Sequence, residues 1–188
     1  RVRLLGSAPL RVRQPVEVAN QSYPTNRDKV QVLINERMQI WEKGLESATR
    51  LLNSELSRFL LETKVRDGDK VVGLLITDQY GALVAASSEP DHFYFGNEPW
   101  WKVVRAGGID QVYVSGLIPA QEGSFRTPEE TIDIAVPILD DRQHTVIGAV
   151  KASYRFDNLF AMINQIRIGQ TGHAMLFDAA GNPLVCPI

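Results

Sequence analysis

Cysteine is nearly absent. Cys186 is the only one in 188 residues, so no disulfide can form within the chain. A fold of this length must rest on a buried apolar core, and 44% hydrophobic residues supply one. The histidines are equally few. His92, His144 and His173 lack the spacing of a metal site, and no metal is expected. No phosphate-binding glycine loop, dinucleotide fingerprint, nucleophile elbow or Cys-x-x-Cys pair occurs, so no cofactor is expected. No stretch approaches the roughly 20 apolar residues of a membrane span, and no leader pattern is visible. Any membrane anchor is expected outside this sequence. Positive charge is not in excess either: 20 Lys and Arg face 22 Asp and Glu, a net charge of −2. Without a concentrated positive field, nucleic acid is not an expected partner. Arg1, Arg3, Arg11 and Arg13 against Glu17 make the first 22 residues locally basic, as a solvated terminal segment would be.

What the chain does contain is a repeated phrase. Ile76-Thr77-Asp78-Gln79-Tyr80-Gly81-Ala82-Leu83-Val84 returns one hundred residues later as Leu176-Phe177-Asp178-Ala179-Ala180-Gly181-Asn182-Pro183-Leu184-Val185. Each reads as an apolar strand, an Asp-x-x-Gly turn and a second strand. Such turns also recur without duplication, because Asp bonds its own turn backbone and Gly accepts positive φ. An internal repeat, however, implies two copies of one unit, the second reduced to its opening hairpin. Asp78 is then a structural turn residue and Asp178 a boundary.

Before the first copy, residues 27–64 read as one amphipathic helix. Val30, Leu33, Ile34, Met38, Trp41, Leu45, Ala48, Leu52, Leu56, Phe59 and Leu60 recur at gaps of three and four, with charged residues between. Asn26 is the expected N-cap, and Asp67-Gly68-Asp69 ends the segment. At 1.5 Å per residue such a helix is about 55 Å long, more than one small domain can cover. It would span two modules or pair with a second copy. Residues 10–18 alternate apolar and polar, like an edge strand.

Strands follow at 71–77 and 83–87. A loop at 88–98 leads to a short helix at 100–106, opened by Asn97-Glu98-Pro99. Further strands are expected at 111–117, 131–137 and 145–154, the last two joined at Asp140-Asp141-Arg142. A helix capped by Asp157 then runs to about Arg167. The last three strands leave no room for crossover helices and must be antiparallel. The predicted fold is α+β: a long N-terminal helix, a PAS-like five-stranded antiparallel sheet with flanking helices, and the start of a second PAS-like module. The expected divisions are an arm (1–26), the helix (27–66), the complete module (67–155), a connecting helix (156–170) and the truncated module (171–188).

From residue 27 onward this order resembles the double Cache sensor domains of bacterial and archaeal receptors. The resemblance rests on Ile76-Thr77-Asp78-x-x-Gly81 with Val84-Ala85-Ala86-Ser87, and on Asn97-Glu98-Pro99-Trp100-Trp101. It rests also on Ile134-Ala135-Val136-Pro137-Ile138 with Asp140, on Val146-Ile147-Gly148-Ala149-Val150, and on Gly169-x-Thr171-Gly172 before Asp178. It implies an extracytoplasmic, non-enzymatic ligand sensor flanked by two transmembrane helices, with a kinase, chemotaxis, cyclase or phosphatase output inside the cell. The partners it implies are a small-molecule ligand and the membrane, and the long helix implies a homodimer.

Within the complete module, residues 88–106 would close the sheet's concave face over a pocket. Trp100 and Trp101, about 100° apart on a helix, should divide between pocket and exterior. Tyr94, with Phe93 and Phe95, adds aromatic surface suited to cations or flat ligands. Amino-acid-binding domains of the resembled family place Arg two residues before the Trp and Asp near the end of the last strand. Glu98 and Ser153 stand there instead, which weighs against an α-amino acid. Glu98 is expected to serve the helix N-terminus. Lys151 interrupts an apolar strand and shares a face with Ala149 and Ser153. It could hold an organic carboxylate together with His92, Arg105 or Arg126. Tyr113 and Ser115 on one strand, and Asp133 with Thr131 on the next, are further polar candidates. The competing readings are a ligand-free dimerisation module and, with little support beyond scattered polar residues such as His92 and Glu98, an enzyme.

Overall fold

The computed structural model describes residues 10–44, 46–125, 127–140, 145–169, 172–177, 181 and 183–185. Asp178, Arg126, Cys186, His144 and the centre of the Asp140-Asp141-Arg142 turn lie outside the described residues.

A five-stranded sheet organises the molecule. Its strands are β1 (Val71–Asp78), β2 (Leu83–Ala86), β3 (Tyr113–Val114), β4 (Thr131–Leu139) and β5 (Val146–Arg155). They run in the order β2-β1-β5-β4-β3, every neighbour antiparallel. The central strands β1 and β5 are buried on both faces and read as continuous apolar runs for that reason. The expected strand at 111–117 is much shorter. Only Tyr113 and Val114 form a ladder, with an isolated bridge from Ile118 to Thr131. Gly116 and Pro119 in this edge segment favour no longer strand.

Strand alternation sorts the core into two layers. On one face Leu74, Ile76, Val136, Ile138, Val150 and Ala152 meet Val12 and Val16 of α1 (Leu10–Gln21) and Leu56 and Leu60 of α4 (Glu55–Asp67). On the other face Leu75, Ala135 and Ala149 meet Phe93, Phe95, Trp100 and Val104. The last two belong to α5 (Pro99–Gly107), which with the 88–98 loop roofs that face.

The N-terminal third departs from expectation twice. Residues 10–21 are helix α1, not an edge strand. Val12 and Val16, four apart and fully buried, set a helical stripe against the sheet. Their burial outweighs Pro15 inside the helix and the exposure of Leu10 and Val18. The segment from 27 to 67 is not one helix but three: α2 (Arg27–Glu42), α3 (Glu46–Leu52) and α4. Gly44, at φ +60, stops α2 in a left-handed conformation. Ser54 accepts a hydrogen bond from the Ser57 amide and starts α4 afresh. The apolar period of 3.6 persisted across both breaks, which is why the sequence looked continuous. The over-long helix, and the geometric argument for dimerisation drawn from it, fall away. Asn26 does cap α2, accepting from the Asp28 amide at 2.9 Å.

The Asp78 turn is built as its residues demand. Asp78 Oδ1 accepts from the amides of Tyr80 (2.8 Å) and Ala82 (3.0 Å). Gly81 sits at φ +91, and a Cβ there would stand 2.5 Å from the Gly96 amide nitrogen. The turn is also anchored from outside. Tyr23 donates its hydroxyl to Asp78 Oδ2 at 2.6 Å. The Asn20 side chain accepts from the Gln79 amide and donates to the Ile147 carbonyl. The elbow between α1 and α2 is thus fastened to the tip of the β1–β2 hairpin.

After β5, α6 (Phe156–Asn164) begins with Arg155, not Asp157, at its cap position. Asp157 lies in the first turn, paired to Arg155 at 3.6 Å. The helix ends short of Arg167, which pairs instead in a two-stranded ladder, β6 (Arg167–Ile168) with β7 (Gly172–His173). The second repeat phrase forms a hairpin of β8 (Leu176–Phe177) and β9 (Pro183–Val185), with Gly181 at φ +86.

Candidate functional site

The β4–β5 register places Asp133 opposite Ser153 and Ala135 opposite Lys151, all toward the roofed face. Lys151 is fully buried. Its ammonium donates to Asp133 Oδ2 at 2.7 Å and to the hydroxyl of Ser124, in the loop before β4. It also lies 5.1 Å from the Trp100 ring centre and 5.8 Å from that of Phe95. Ser153 donates to Asp133 Oδ1 at 2.5 Å. A buried ammonium is tolerable only when paired, and here it meets a carboxylate, a hydroxyl and two aromatic rings.

Above this network lies a cleft of about 560 Å³. His92, Glu98 and Trp100 form one wall, Tyr113, Ser115 and Asp133 another, and Glu122 and Ser124 close the third side. Glu98 organises the first wall. One carboxylate oxygen meets His92 Nε2 at 2.5 Å and the other accepts from the Trp100 indole at 2.5 Å. Burial pushes the Glu98 carboxyl up. The hydrogen bond from His92, the Lys151 charge and the Trp100 bond outweigh it, and the group sits below its ordinary range. Tyr113 is pushed up, first by burial, then by the charges of Asp133 and Glu98. The cleft wall is therefore acidic: Lys151 neutralises Asp133 from beneath, and Asp91, Glu98 and Glu122 also line the space.

The candidate residues thus divide. His92, Trp100, Tyr113, Ser115 and Asp133 line the cleft. Lys151 and Ser153 lie under it, bonded to Asp133. Trp101 is half-buried on the outer side of α5, against the Gly81 turn. Tyr94 and Arg105 line a separate recess facing α2. Glu98 makes no side-chain cap bond, contrary to expectation, and is a wall residue instead. Sequence reasoning missed Ser124, because loop residues carry no periodicity. A larger hollow of about 740 Å³ is lined by residues of α4, the start of β1, Phe125 and residues 127–129. Its lining holds no buried ion pair like Lys151–Asp133, the Arg155–Glu129 pair there being about 30% exposed on both sides, so the smaller cleft is the better-built site. Among the described residues no group of three or more His, Cys, Asp and Glu side chains could hold a metal, and no helix is long and apolar enough to cross a membrane.

Sheet order, helices on one face and a roofed cleft on the other define a PAS-like α+β fold. Solved structures share it. The ligand-binding domain of the Pseudomonas fluorescens chemoreceptor CtaA, in complex with L-serine, is 18% identical, with 93% of this chain and 73% of that one covered at a TM-score of 0.50. Its L-leucine complex aligns over 93% and 71% at 0.51 and 18% identity. The ligand-binding domain of the Pseudomonas aeruginosa amino-acid chemoreceptor PctB, bound to L-Arg, covers 84% and 64% at 0.51 and 20% identity. In sequence, 56 residues, 30% of the chain, are 38% identical to the methyl-accepting chemotaxis protein McpA of Pseudomonas putida. They span 9% of that protein's length. No protein-family model matches the chain.

Proposed function

We propose that the chain is a ligand-sensing region of a transmembrane receptor and binds a small molecule in the cleft beneath α5. The observation that carries this reading is the fully buried Lys151–Asp133 pair, braced by Ser124 and Ser153 under a cavity walled by Trp100, His92 and Glu98. A scaffold with no ligand would gain little from holding an ion pair beneath an open cavity, since apolar residues there are often as stable or more so. Chemoreceptor domains of the same fold carry amino acids in their solved structures, which supports sensing rather than catalysis.

The charge of the cleft favours a ligand with an ammonium group. Glu98 and Asp133 offer carboxylate oxygens, and the Trp100 ring offers a cation-binding face. A simple organic acid would need Lys151 to leave Asp133 and reach through the cleft floor. The sensor reading places the domain outside the cytoplasm, with membrane-crossing segments and an output domain elsewhere in the parent protein. Pairing of two copies through the N-terminal helices belongs to the same proposal. Exposed Val32 and Ile40 on α2 offer apolar surface for it.

Isothermal titration with primary amines, amino acids and organic acids is the test. An ammonium-bearing compound should bind, and Trp100→Phe and Glu98→Gln should each weaken it roughly tenfold, about 1.4 kcal/mol. Binding by none of these classes, or binding indifferent to both variants, overturns the reading.

A further inference from the structure

A second recess, of about 350 Å³, lies where α2 meets the tip of the β1–β2 hairpin and the C-terminal turn of α5. It does not open on the cleft of the Lys151 network, with which it shares no lining residue. Two arginines line it, Arg27 on α2 and Arg105 on α5. Both are exposed, and among the described residues neither has an ion pair or hydrogen-bond partner. No carboxylate lines the recess. The nearby Asp78 is buried beneath the turn and spent on Tyr23, Tyr80 and Ala82.

Arg27 is placed against the local rule. It is the first residue of a 16-residue helix, where the helix dipole is positive and a cation is unfavourable. A residue that breaks such a rule without a visible local gain marks a candidate functional position. Gln31, one turn along α2 and already donating one amide hydrogen to Asn35, and Gln79, in the hairpin tip, also line the recess, and Tyr80 and Tyr94 complete the walls. Planar guanidinium forks pair with oxyanions through parallel hydrogen bonds. Two of them around one small cavity call for two negative charges.

We infer that this recess is a second binding site, for a small doubly charged oxyanion such as a dicarboxylate or a phosphate group, held between Arg27 and Arg105. An anion there ties α2 to the hairpin tip and to α5. It would therefore stabilise the docked position of the N-terminal helices. The site is independent of the ligand proposed for the cleft.

The test is thermal unfolding and isothermal titration of the chain with inorganic phosphate and with succinate, with sodium chloride of matched ionic strength as the reference. A saturable rise in the unfolding midpoint is expected with at least one of the two anions, and which one responds identifies the headgroup. Arg27→Gln and Arg105→Gln, both surface changes, should each weaken binding roughly ten- to a hundredfold, the loss of one charge-assisted pair. An effect reproduced by chloride, or unchanged in both variants, overturns the proposal. An anion response lost in Glu98→Gln but kept in the arginine variants places the anion in the cleft and overturns it equally. Loss of self-association in the arginine variants, without any anion binding, assigns the pair to a protein contact instead.

Discussion

At the scale of single residues, the Lys151–Asp133 pair is the most consequential contact in the molecule. Removing one partner of a buried pair strands the other charge, which typically costs about 3–5 kcal/mol. Asp133→Asn should therefore lower the unfolding midpoint sharply, whereas Asp133→Asn combined with Lys151→Met should recover most of the loss. Thermal denaturation of the three proteins checks this, and a double variant as unstable as the single one refutes it. The strand alternation of Ala149, Lys151 and Ser153 was readable in the sequence, because a period of two is a backbone property. That Lys151 would be consumed by Asp133 was not. The partner is 18 residues away, and the pairing depends on the β4–β5 register. Glu98 was misjudged for a related reason. Its place before Pro99 fits a cap, and only the folded loop brings His92 within reach.

At the scale of elements, glycine decides where the chain turns. Gly44 and Gly81 both adopt positive φ, yet their surroundings differ. A Cβ at Gly44 meets nothing within 4 Å, so Gly44→Ala should cost only the left-handed strain, about 1–2 kcal/mol. At Gly81 the same atom would collide with the Gly96 backbone at 2.5 Å. Gly81→Ala should cost clearly more and should disturb the roof of the cleft as well as the turn. Chemical denaturation ranks the two, and equal costs would contradict this account. The strands other than β3, and α5, were legible because apolar runs and Pro-led helix starts are local signals. The break at Gly44 was visible as a glycine but not as a stop. Propensity cannot tell a tolerated glycine from a terminating one when the apolar stripe resumes in phase.

At the scale of the whole molecule, stability against pH is a balance of opposed carboxyls. Glu98 is held below its ordinary value of 4.5, so its contribution is present above that value and is lost as pH falls through the lower, folded one. Asp78 is raised above its ordinary 3.8 by burial, despite its hydrogen bonds from Tyr23, Tyr80 and Ala82. Its ionised form is disfavoured in the fold, and stability is gained as pH falls through the raised value toward 3.8. In Glu98→Gln only the Asp78 gain remains of the two. The variant's unfolding midpoint should therefore fall less on acidification than the parent's, and a scan across pH that shows parallel curves would reject this. The sheet class was legible at this scale because five short strands and their spacing admit few antiparallel arrangements. The fold of the N-terminal third was not, because three helices in phase write the same pattern as one.

The tip of the β1–β2 hairpin is where three otherwise separate parts touch. Asn20 and Tyr23 grip it from the α1–α2 elbow, and Gly81 abuts the Gly96 backbone of the roof. Trp101 of α5 closes on the same turn. The turn thereby joins the roof over the cleft to the elbow of the N-terminal helices, and the backbones of Gly81 and Gly96 lie too close for any side chain to stand between them.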